Sequence, residues 1–87
     1  MASTFEQVAD ILADHCSTPR AQIKPESHIL DDLAIDSLDF LDSAYALDKH
    51  FGVRLPMERF ANDDLWEVAK VSAAIDELLA AKGRAAN

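Results

Sequence analysis

The stretch Asp36-Ser37-Leu38-Asp39 combines residue types that suit chemistry at a helix entrance. Asp36 fits the N-cap position, where a carboxylate accepts hydrogen bonds from free amides of the first turn. Ser37 then becomes the first helical residue, with its hydroxyl at the positive end of the helix dipole. A phosphodiester attached there gains from the free N–H groups and from the dipole. Taken alone, Asp-Ser-Leu is a weak signal, because any helix start can read this way by chance.

Other chemistries fit less well. A nucleophilic serine needs a base in reach, ordered by a third group. His50 lies thirteen residues along the same helix from Ser37, roughly 20 Å at 1.5 Å per residue. It cannot serve as that base. His15 and His28 are not excluded by spacing, but no nucleophile elbow or oxyanion motif accompanies them. We therefore assign no catalytic residue and expect no enzyme. Asp31, Asp32, Asp36 and Asp39 lack the central glycine, the alternation and the terminal glutamate of a calcium loop. No dedicated metal site is expected.

The elements that must position Ser37 follow from spacing and caps. Ser3 and Glu6 form a capping box, opening a helix to about Cys16 with Phe5, Val8, Ile11 and Leu12 on one face. Ser17 to Ile35 reads as a long connection punctuated by Pro19 and Pro25. Ile23, Ile29, Leu30, Leu33 and Ile35 anchor it as apolar plugs, and a short helical turn fits Pro19 to Ile23. The second helix runs from Ser37 to Phe51 and ends at Gly52 by left-handed capping. Its core stripe is Phe40, Ala44, Leu47 and Phe51. Leu38, Leu41 and Tyr45 form a second stripe, flanked by Asp42 and Asp48. That stripe is either packed under the loops or offered to a partner.

After Pro56 a short helix spans Met57 to Ala61, with Met57 and Phe60 as packing residues. Asn62 or Asp63 can cap a final helix reaching about Lys82 and ended by Gly83, although its start could fall as late as Lys70. Leu65, Val68, Val71, Ser72, Ile75, Leu78 and Leu79 share its inner face, and Trp66 lies off it. The expectation is an all-α fold: a small four-helix bundle, three helices longer and one short, with a long loop between the first two. Residues 1–87 form a single domain.

Composition narrows the function. A chain of 87 residues buries only about 60% of its unfolded surface, so a deep enzyme cleft is not expected. The net charge is −8, and seven acids against one base lie between Glu26 and Gly52. That balance argues against nucleic acid and anionic membranes, and favours basic protein partners met through electrostatic steering. The single Cys16 cannot form an internal disulfide. No signal peptide or membrane-length apolar run is seen, so a reducing cytoplasm is the expected location.

The ordered set Asp31-Asp32-Leu33, Asp36-Ser37-Leu38-Asp39, Ala46-Leu47-Asp48 leading to Phe51, Leu55-Pro56, and Val71-Ser72-Ala73-Ala74-Ile75-Asp76 resembles the acyl carrier protein family over most of the chain. The resemblance implies that Ser37, next to Asp36, carries 4′-phosphopantetheine transferred from coenzyme A. Cargo then rides as a thioester, and the protein itself catalyses nothing. The implied partners are a phosphopantetheinyl transferase, a cargo-loading acyl or aminoacyl ligase and a downstream transferase. The partner face is Leu38, Asp39, Leu41, Asp42, Tyr45 and Asp48. The alternative from another class is a helical adaptor without prosthetic group that binds basic partners through the second helix. A monomer without stable membrane insertion is expected.

Several positions depart from the family's common pattern. Ala34 stands where glycine is usual, and Lys49 and His50 replace acids. Ser43, Ala44 and Tyr45 replace a bulky aliphatic trio that usually helps line an acyl pocket. The segment between Pro56 and Val71 is longer than usual by several residues. The run Asp36 to Asp42 with Phe51-Gly52 is similar both to specialised alphaproteobacterial carriers, including those for very long acyl chains of lipid A, and to free-standing carriers loaded with amino acids. Cargo is expected to be either short and polar or too long to be sequestered.

Overall fold

Local capping sets the first two long helices of the chain, in a computed structural model that describes residues 3–61 and 66–85. Helix α1 spans Thr4–Cys16. The Ser3 hydroxyl accepts from the Glu6 amide at 3.1 Å, and Glu6 accepts from the Ser3 amide at 3.3 Å. Val8, Ala9 and Leu12 are buried on its inner face. The helix ends on Ser17 in the left-handed conformation.

The connection that follows contains a 3-10 turn, Arg20–Gln22. Its apolar anchors Ile23, Ile29, Leu33 and Ile35 are buried, while Leu30 is only partly so. Helix α2 spans Ser37–Phe51, with Asp36 as N-cap and Gly52, at φ 68°, as C-cap. Phe40, Ala44 and Leu47 are buried as the spacing predicts, and Ser43 joins them. Helix α3 is Met57–Ala61. Helix α4 is Val68–Ala85, and its buried face includes Val68, Val71, Ser72 and Ile75. The described residues therefore form the expected all-α bundle of three longer helices and one short. None of these helices is long and apolar enough to cross a membrane.

Two expectations need correction. Met57 is 39% exposed rather than packed; Phe60 alone of that pair is buried. Gly83 does not end the last helix, which runs through it to Ala85, because one glycine costs a helix only about 1 kcal/mol relative to alanine. Tyr45 faces out of the bundle at 63% exposure, on the outer stripe where the helical spacing puts it with Leu38 and Leu41. The proposed caps Asn62 and Asp63, and Leu65, lie outside the described residues.

The start of α4 is set by the long connection. The amides of Val68 and Ala69 donate to the carbonyl oxygens of Ser27 and Pro25 at 3.1 and 2.8 Å. An antiparallel bridge pairs His28 with Glu67, and the Ile29 amide donates to the Trp66 carbonyl at 2.6 Å. Beneath it Phe40, Phe60 and Trp66 form a triangle of rings, with centroids 4.9, 5.2 and 5.3 Å apart. Tilted aromatic pairs of this kind contribute about 0.5–1.5 kcal/mol each beyond their burial. Phe40 thus fixes the first turn of α2 on α3 and on the strap before α4.

Candidate functional site

Ser37 is exposed at the first position of α2. One Asp36 oxygen accepts from the Leu38 amide at 3.0 Å, and the Asp36 carbonyl accepts from the Phe40 amide at 2.9 Å. Of the first-turn amides left without an intrahelical partner, that of Leu38 is capped by Asp36, and those of Ser37 and Asp39 are left for solvent or a bound anion. The approach to this turn is held from behind. The Ile35 amide donates to the Ile29 carbonyl at 3.1 Å, and Asp32 Oδ2 accepts from the His28 amide at 2.7 Å. His28 Nδ1 in turn accepts from the Asp31 amide at 3.1 Å. His28 therefore caps a turn, and Asp32 is occupied there.

Ala34 carries a φ of 53°. An L-residue in this region brings Cβ too close to its own carbonyl, costing roughly 1–2 kcal/mol. The departure from glycine noted in the sequence therefore falls on a backbone that glycine suits better.

The outer stripe of α2 is uncovered: Leu38 is 69%, Leu41 48% and Tyr45 63% exposed. Asp39 and Asp42 are exposed beside it. The loops leave this stripe to solvent. Towards its C-terminal end the sign changes, since Lys49 Nζ lies 5.0 Å from the Tyr45 ring centroid. Asp48 is only partly exposed, and its Oδ1 accepts from the buried Leu55 amide at 2.9 Å. Its carboxylate is thus engaged inside the fold and braces the turn after α2.

Below α2 lies a polar contact that spacing did not reveal. Cys16 Sγ is 3.1 Å from Ser43 Oγ, and Ser43 donates to the Asp39 carbonyl at 3.1 Å. Burial pushes the Cys16 thiol above its ordinary range, Ser43 draws it partly back, and Asp39 and Asp42 push it up again. A thiol held protonated is a poor nucleophile. The only cue in the sequence was the small polar residue at position 43, one step off the core stripe. Among the described residues no group of three His, Cys, Asp or Glu side chains is placed to hold a metal ion.

The arrangement fits a covalently tethered phosphate group. The hydroxyl is accessible, two first-turn amides beside it have no capping partner, and the side chains that could crowd it, Asp36 and Asp39, are exposed. Similarity to known proteins agrees. A family model described as "Phosphopantetheine attachment site" matches residues 6–75. The chain is 45% identical over 91 aligned residues to the acyl carrier protein AcpXL of Rhizobium etli, covering 94% of this chain and 99% of that protein. It is also 45% identical to the AcpXL of Brucella melitensis, covering 94% and 98%. An acyl carrier protein of Clostridium acetobutylicum is 39% identical over 72 residues, covering 83% of each.

Proposed function

This chain belongs to the acyl carrier protein family, and on that premise we propose that Ser37 is the attachment point of its 4′-phosphopantetheine. The prosthetic group supplies a terminal thiol that holds acyl cargo as a thioester. What the chain's own residues contribute is placement. Asp36 caps the turn and keeps it helical, so the Ser37 oxygen stays directed outward. The Ser37 and Asp39 amides and the helix dipole favour a phosphate on that oxygen. Phe40, three residues on, anchors the same turn in the aromatic triangle.

Leu38, Asp39, Leu41, Asp42 and Tyr45 form the surface offered to partner enzymes: a transferase, a loading ligase and an acyl-handling acceptor. Asp48 belongs at the margin of that surface. Residues 1–87 act as one carrier domain that catalyses nothing itself, in the cytoplasm. The cargo is acyl in the broad sense. The likeness to acyl carrier proteins favours an acyl chain over an amino acid.

The exposed Ser37 hydroxyl at a capped helix start carries this reading. Intact mass after incubation with coenzyme A and a phosphopantetheinyl transferase tests it. A gain of one phosphopantetheine, absent in Ser37→Ala, is expected. Modification that persists in Ser37→Ala overturns the assignment, and partner binding with no gain at all favours the helical adaptor.

A further inference from the structure

Arg54 and Lys82 lie together in a chain that has 16 acidic and 8 basic side chains. Arg20 pairs with Asp10, and Lys70 with Glu67. Lys49 lies over Tyr45. Among the described residues Arg54 has no hydrogen-bond or ion-pair partner. Lys82 donates to the carbonyl oxygen of Gly52, at 2.9 Å, and has no carboxylate partner. Both line one hollow of about 460 Å³ whose remaining walls are Gly52, Val53, Leu78 and Ala81.

The hollow is shallow and largely open to solvent, so it would cover one side of a ligand and not enclose it. The walls other than the two cations are apolar. Two cations without a carboxylate partner among the described residues, one of them bonded to the Gly52 carbonyl, therefore flank an apolar surface. Lys82 is also held in place by its bond to the Gly52 carbonyl, and Gly52 itself has a left-handed backbone, φ 68°. A Cβ on Gly52 would meet Lys82 Nζ at 2.6 Å.

We propose that this hollow is a binding site for a single-chain alkyl carboxylate. The carboxylate pairs with Arg54 and Lys82, and the first carbons of the chain cover Val53, Leu78 and Ala81. A small inorganic anion leaves the apolar walls wet and forgoes about 0.8 kcal/mol per buried methylene. An anionic bilayer meets the full repulsion of a protein with net charge −8. A small monoanion feels chiefly the charges within a Debye length, about 8 Å at physiological salt. The proposal rests on the hollow and its cations, and is independent of the role of Ser37.

Titration of the ¹⁵N-labelled full chain with octanoate, followed by amide shifts, tests it. The expected result is a saturable change centred on Gly52, Val53, Arg54 and Lys82. Affinity falls about tenfold in the double variant Arg54→Gln, Lys82→Gln. Acetate, which lacks the chain, and 1-octanol, which lacks the charge, bind more weakly. Gly52→Ala, which displaces Lys82, weakens octanoate binding while circular dichroism stays helical. Shifts centred on Phe40, Phe60 and Trp66, or on Leu41 and Tyr45, overturn the assignment. So does unchanged affinity in the double variant, or a response that never saturates.

Discussion

The indole N–H of Trp66 donates to the carbonyl oxygen of Phe60 at 3.0 Å, tying the strap before α4 to α3 directly beneath the first turn of α2. The bond orients the indole so that it touches Phe40 and Phe60 together. Trp66→Phe keeps a ring but loses the bond, and should cost about 1 kcal/mol. Trp66→Ala removes the ring and should cost about 3 kcal/mol. Urea unfolding followed by circular dichroism measures both. Equal effects of the two variants would show that the hydrogen bond, rather than the ring, holds the strap.

Ala34→Gly should stabilise the protein. The left-handed φ of 53° costs alanine roughly 1–2 kcal/mol. Glycine removes that strain but adds about 0.4–1 kcal/mol of chain entropy to the unfolded state. The net gain expected is about 0.5–1 kcal/mol, read as a higher melting temperature. A loss would mean that the turn before Ser37 relaxes when alanine is absent.

Asp48 and Asp42 should separate by experiment although both flank the outer stripe. Asp48→Ala leaves the buried Leu55 amide without its acceptor, at about 1–2 kcal/mol. Asp42 is exposed, and among the described residues its carboxylate holds no hydrogen bond or ion pair, so Asp42→Lys should leave stability within about 0.5 kcal/mol. The reversed charge should instead slow association with a basic transferase several-fold, an effect that shrinks as salt rises. Stopped-flow association rates together with melting curves distinguish the two. An Asp42→Lys variant that associates at the original rate removes Asp42 from the partner face.

Cys16 should alkylate more slowly than a free thiol at pH 8, because burial and the nearby Asp39 and Asp42 hold it protonated. Ser43→Ala removes the one contact that eases ionisation and should slow it further. The sign for stability follows from a folded-state value raised above the unfolded one. Stability is level below the ordinary thiol range, near ~8.5, and falls as the pH rises above it, where the unfolded chain ionises first. Iodoacetamide labelling rates and melting curves between about pH 7 and 10 test both statements. Labelling as fast as a free cysteine would contradict the buried contact with Ser43.

What the chain could disclose by itself was whatever depends on near neighbours in sequence. The Ser3–Glu6 box, the Asp36 cap and the Gly52 turn each satisfy amides or carbonyls within a few residues. The order and type of those residues therefore specify where α1 begins and where α2 begins and ends. The place of Ser37 at a helix entrance, and the two stripes of α2, follow from the same local geometry.

Tertiary structure decided the rest, because the partners are far apart along the chain. The first amides of α4 are capped by carbonyls of Pro25 and Ser27, some forty residues upstream, so no local signal could mark that start. Asp48 looked like one more surface acid until the turn brought the Leu55 amide to it. Ser43 was one small residue among others until α1 set Cys16 against it. Whether Leu38, Leu41 and Tyr45 were covered depended on where the long connection ran. It runs to the strap before α4 and leaves them open to solvent.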